Sequence, residues 1–191
     1  MRARAWLLAG ALSPLASPVA AQLGEAQVGV IASYGTGMAA RPGAGLVLGV
    51  AVGRLTYGGL RWTYYGTTTT TQGPAASPTE VRNTQQVFAL DVGMVLPKGS
   101  LEVIPEVSIG FARFVQHSLP AAGGAESVDY GTKLLVAPGL AVEVHAGRFA
   151  LIPELQYCFA GKPKLPWPAE HYGLIGSLRL VRWFEVRRIR H

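Results

Sequence analysis

The sequence predicts an all-β protein, an eight-stranded antiparallel up-and-down transmembrane β-barrel, and three observations lead there. Apolar residues alternate with small or polar ones at a period of two along much of the chain, the spacing of a strand and not of a helix. One such stretch is written twice: LEVIPEVSIGF at Leu101 to Phe111 and FALIPELQYCF at Phe149 to Phe159 share an Ile-Pro-Glu core, as repeated strands of one design would. Charged residues are only 15% of the 191 against 49% hydrophobic, and the carboxylates alternate with Gly, Ser and Ala. That composition suits a narrow packed interior inside an apolar wall better than a soluble sandwich, whose outer faces need long charged side chains.

Taken in order, the first strand is Gln27 to Tyr34, with Val28, Val30, Ala32 and Tyr34 outward. Gly45 to Arg54 follows, with Leu46, Leu48, Val50 and Val52 outward and Gly49, Ala51 and Gly53 inward. Gly58 to Gly66 sends Leu60, Trp62 and Tyr64 outward and Arg61, Thr63 and Tyr65 inward; Gln86 to Leu96 sends Phe88, Leu90, Val92 and Met94 outward and Asp91 inward. The fifth strand is Leu101 to Phe111, the sixth Lys133 to Val144, the seventh Phe149 to Phe159 and the eighth Tyr172 to Phe184. An even count is what a closed antiparallel barrel requires.

The connections alternate in length. Short ones are Gly53 to Thr56, Pro97 to Ser100 and Ala146 to Arg148; long ones are Thr36 to Ala44, Thr67 to Asn83, His117 to Gly131 and Gly161 to His171. Short turns belong on the periplasmic side and long ones outside. TTTTTQGPAASPTE and SLPAAGGAES are expected to be mobile and weakly structured. Tyr34, Trp62, Tyr64, Tyr65, Phe111, Phe114, Trp183 and Phe184 gather near strand ends, where interfacial aromatic girdles would lie.

The ends of the chain carry an address. Residues 1–21 read as a secretory signal peptide, with Arg2 and Arg4 ahead of an apolar run that Ser13, Pro14, Ser17 and Pro18 keep too short to span a bilayer, and cleavage is expected after Ala21. The barrel domain then occupies 22–184, and 185–191, EVRRIRH, form a basic tail read as solvated. The formal charge of +6 is concentrated there and in the leader, so nucleic acid is not an expected partner. A lone Cys158 gives an exported chain no internal disulfide; the residue is expected to fill space in the lumen.

Placing charges by alternation gives a lumen that holds Asp91, Glu102, Glu106, Glu143 and Glu154 against Arg61, Lys133 and Arg179, with His145 near one mouth. An eight-stranded lumen is just filled by side chains, so these groups are expected to form a structural polar plug, with a proton- or cation-conducting path as the sharper alternative. No serine, base and carboxylate fall at a catalytic spacing, and the histidines give no metal-ligand spacing, so no catalytic residue, cofactor or metal is expected. Gly35 to Ala40 fits the loose GxGxxA pattern, but Arg41-Pro42-Gly43 cannot start the helix a dinucleotide site needs.

The leader, the alternating strands, the rhythm of short turns and long loops and the terminal GLIGSLRLVRWF together resemble the small eight-stranded outer-membrane barrels of Gram-negative bacteria, the OmpA/OmpX-like class. The resemblance covers nearly all of Gln27 to Phe184; it departs where seven residues follow Phe184. It implies residence in the outer membrane, contact with outer-membrane lipid, handling by the assembly machinery through the last strand, and a structural or surface-interaction role without catalysis. The loop ligand is left open. Two alternatives have other consequences: a soluble periplasmic, lipocalin-like carrier needs its apolar faces inward, and a lipid A-modifying barrel enzyme needs the catalytic group missing above.

Overall fold

The computed structural model describes residues 23–52, 55–98 and 101–185, so the signal peptide and the tail beyond Glu185 lie outside the described residues. The strands are β1 (Leu23–Gly35), β2 (Gly43–Val52), β3 (Thr56–Gln72), β4 (Thr79–Met94, continued past Val95 by Leu96–Lys98), β5 (Leu101–Pro120), β6 (Ser127–Ala146), β7 (Phe149–Ala160) and β8 (Tyr172–Glu185). A 3-10 turn, Gly37–Ala39, follows β1. Each strand pairs antiparallel with the next, and β8 returns to pair with β1, which closes an eight-stranded up-and-down barrel. Closure leaves the walls without an edge at barrel height.

Alternation sets the two faces. Val30 (53% exposed), Leu60 (60%), Leu90 (50%), Leu155 (52%) and Leu180 (50%) stand on the outside, while Ile31, Val47, Arg61, Asp91, Glu154 and Arg179 are buried within. Cross-strand register aligns like with like, as in Leu48 opposite Leu60, Leu90 opposite Ile109 and Val30 opposite Leu180, so the apolar exterior is continuous around the barrel. This is the reverse of what the carrier alternative requires. The outward apolar surface suits lipid, where closed backbone pairing satisfies every ladder group. No described helix is long and apolar enough to cross a membrane, a statement that leaves crossing by strands open.

Room inside is made by small residues opposite large ones. Tyr57 lies over Gly49 and Gly59: a Cβ on Gly49 would stand 2.8 Å from the Tyr57 ring, and one on Gly59 would stand 2.5 Å from its hydroxyl. Tyr65 and Phe114 likewise turn into the barrel at 3% exposure, so they are packing residues and not girdle members, and Trp183 is half-buried at the short-turn mouth. Tyr34, Trp62, Tyr64, Phe111 and Phe184 do stand outside.

The loop expectation needs correcting. The run Thr67 to Gln72 continues β3, paired from Thr68 opposite Asn83 to Gln72 opposite Thr79, and β5 and β6 pair up to Ser118 opposite Ser127. Threonine is β-branched and favours the pleated conformation, and with a partner strand alongside it the polar tract makes a ladder instead of a loose loop. The irregular part of these two connections shrinks to residues 73–78 and 121–126.

Candidate functional site

Five charged side chains from five strands converge in the middle of the lumen. Arg61 (β3), Asp91 (β4), Glu106 (β5), Glu154 (β7) and Arg179 (β8) all occupy inward positions, and each is 6% exposed or less. Arg61 donates from Nε and Nη2 to Asp91 Oδ2 at 3.0 and 2.8 Å, and from Nη1 to Glu154 Oε1 at 2.8 Å and Gln156 Oε1 at 3.1 Å. Arg179 donates from Nε to Glu154 Oε2 at 2.6 Å, from Nη2 to Glu106 Oε1, and from Nη1 to the Tyr57 hydroxyl at 3.3 Å. Glu154 therefore bridges both guanidiniums, one on each oxygen.

Neutral groups complete the network. Ser108 Oγ donates to Asp91 Oδ1 at 2.6 Å, and Gln156 Nε2 donates to Ser108 Oγ at 2.7 Å and Glu106 Oε1 at 3.1 Å. Glu106 Oε2 alone among the five charged groups' polar atoms is buried without a partner. Three carboxylates face two guanidiniums, a formal surplus of one negative charge. Charges taken out of water are tolerated only where pairing and hydrogen bonds offset desolvation, and four of these five meet that condition in full.

Two apolar clusters enclose the network. The one toward the long connections contains Met38, Tyr65, Phe114, Leu135, Cys158 and Ile175; the one toward the short turns contains Ile31, Val47, Ile104, Ile152 and Val181. Cys158 fills space at 3% exposure, and burial keeps its thiol inert toward solvent.

The other sequence-selected residues sit elsewhere. Glu102, Glu143 and His145 meet at the short-turn mouth: Glu102 faces Glu143 across β5 and β6, His145 Nε2 lies 3.6 Å from Glu102 and 3.4 Å from Glu143, and the Trp183 indole donates to Glu143 at 2.6 Å. Their ligand atoms lie within 4.8 Å of one another, a set of one imidazole and two carboxylates whose chemistry fits a divalent cation. Spacing along the sequence did not show this group because Glu102 joins it through cross-strand register. Lys133 points inward opposite Ala112, packs near Gly161, and has no ion pair among the described residues.

Sequence reasoning also missed Arg41, buried at the mouth formed by the long connections. It lies in the connection before β2, where alternation carries no information, and no composition signal marked it. Gln85 and Gln116 escape sequence reasoning for another reason: they are inward on strand extensions that lie between the strands and the connections the sequence marks.

No protein-family model matches the chain, and no curated protein sequence matches it. Its fold does match solved structures. A major outer membrane protein from Thermus thermophilus superposes with a TM-score of 0.61 at 13% identity, over 83% of this chain and 99% of that one. The N-terminal β-barrel domain of Pseudomonas aeruginosa OprF superposes with a TM-score of 0.51 at 12% identity, over 85% of this chain and 99% of that domain. At these identities the likeness is one of fold: the chain folds as a closed eight-stranded barrel of the outer-membrane kind.

Proposed function

We propose that this protein is a bacterial outer-membrane barrel that catalyses nothing, holds its lumen closed with a charged plug, and uses its outer mouth for surface interaction. The observation that carries the reading is the combination of an apolar exterior with a lumen occupied by the Arg61, Asp91, Glu106, Glu154 and Arg179 network. An exterior of this kind has no stable place in water, and an interior filled by paired charges has no cavity for an apolar cargo.

Absence of catalysis is supported by the character of the buried groups. The network's carboxylates are engaged by arginines, and its one serine, Ser108, donates to Asp91 with no histidine beside it, so none is arranged as nucleophile and base. Export through a cleaved leader and handling by the assembly machinery belong to the same proposal.

Two measurements test it. Cell fractionation should recover the protein in the outer-membrane pellet, released by detergent and not by salt or alkali. The purified barrel should migrate faster unheated than boiled on a denaturing gel; recovery in the soluble periplasm with a single heat-independent band would overturn the reading.

A further inference from the structure

The outer mouth holds a buried cation that no acid neutralises. Arg41 is 8% exposed, and its guanidinium Nη1 donates to Thr68 Oγ1 at 2.8 Å and the Asn83 carbonyl at 2.7 Å, while Nη2 donates to the Met38 carbonyl and Gln85 Oε1, both at 3.3 Å. Every acceptor is neutral, and no carboxylate pairs with Arg41 among the described residues. Its Nε and the Gln85 amide nitrogen are buried with no partner. The contrast with Arg61 and Arg179 is direct, since each of those touches three carboxylates. A lone buried charge is costly, and burial holds this guanidinium below the usual arginine range.

Arg41 lines a cavity of about 540 Å³ that opens at the outer mouth between the tops of β3 and β4 and the connection from Gly161 to His171. That connection is tied in place: Trp167 donates its backbone N–H to Gln116 Oε1 at 2.9 Å and accepts from Gln116 Nε2 at 3.2 Å, and Leu165 and Ala169 pack on the apolar cluster below. It brings Lys162 and His171 to the cavity opposite the Thr70 hydroxyl and the Gln72 amide. The one acid lining it, Glu170, is exposed.

We propose that this cavity is a binding site for an oxyanion, a phosphate or sulfate group, with Arg41 as the buried positive charge beneath it and Lys162, Thr70 and Gln72 as its contacts. Charge-assisted hydrogen bonds to anionic oxygen are the strong ones, and a preformed pocket with hydroxyl and amide donors around a fixed cation is the arrangement that makes them. The group can belong to a soluble anion or to a phosphorylated lipid headgroup in the surrounding leaflet. Only the second source depends on the outer-membrane reading; binding of the anion itself depends on the fold alone.

The test uses the full mature chain refolded in zwitterionic detergent, with heat-dependent gel mobility run on every sample to report folding. Calorimetric titration with inorganic phosphate at fixed ionic strength should show saturable one-to-one binding. Lys162→Gln should weaken it about tenfold, the loss of one charge-assisted contact, and Arg41→Gln by at least as much. Lys164→Gln, on the same connection but outside the cavity lining, should change it less than twofold. Competition by micelles doped with a phosphorylated lipid assigns the headgroup source, and its absence assigns the soluble one. Failure of the folded parent to bind phosphate overturns the proposal, as does binding that Lys162→Gln leaves intact or that Lys164→Gln weakens equally. Should Arg41→Gln not fold, the pair of lysine variants decides alone.

Discussion

Glu106 and Glu154 are the same residue type in the same lumen, yet their partners make opposite demands. Glu154 receives Arg61 on one oxygen and Arg179 on the other, whereas Glu106 leaves Oε2 without a partner. Glu154→Gln turns an amide donor toward an arginine that is itself a donor and should cost about 3 kcal/mol. Glu106→Gln keeps the acceptor, places the amide nitrogen where an oxygen had no partner, and removes the surplus charge; its cost should stay within about 1 kcal/mol. Urea unfolding of barrels folded into lipid vesicles separates the two. Val107 supplies the third comparison, one residue from Glu106 on the other face, between Val92 and Pro138. Arginine there should cost about 2–4 kcal/mol near the bilayer midplane, where lipid offers it no partner. If Val107→Arg folds like the parent while Glu106→Gln fails, the faces are assigned the wrong way round. At this scale the sequence was readable wherever parity governs: inward and outward residues follow from a period of two. Partner choice was not, because Arg61 reaches Glu154 from four strands away around the wall and only closure brings them together.

Among the elements, β3 shows where local reading fails. A run of five threonines between turn residues looks like a linker, but β4 offers it Glu80, Arg82 and Asn83 in register, and pairing decides. Hydrogen exchange should therefore find the amides of 79–83 and alternate amides of 68–72 protected and those of 73–78 fast. Uniformly rapid exchange from 67 to 83 would return the segment to a loop. Surface proteolysis of intact cells follows the same logic: cleavage should fall within 73–78 or 121–126 and spare the short turn after Lys98, and early cleavage there would invert the topology. The strand cores were legible because buried and lipid-facing positions alternate without interruption. The extensions were not, since a polar tract standing in water has no apolar face to mark its period.

For the whole molecule, the plug predicts silence. With the paired charges across the lumen and Met38 and Phe114 packed above them, planar-bilayer recordings should show no discrete conductance steps, and steps that appear in the parent would mean the network opens. Height is the other global feature. β3 to β6 run 17, 16, 20 and 20 residues, while β2 and β7 have 10 and 12, and a bilayer asks for about 9–11. Above the short strands the four tall ones stand as an open sheet, and an open sheet has two free borders. On β6 the inner face of the sheet is covered, because Pro163 and Leu165 lie where a Cβ on Gly131 would point. Along β3 the last ladder partner is Gly43, opposite Tyr65, and Thr67, Thr69, Thr70 and Thr71 beyond it are exposed. On that threonine border no second strand is paired among the described residues, and an unpaired border is the part of a sheet that can accept an added strand.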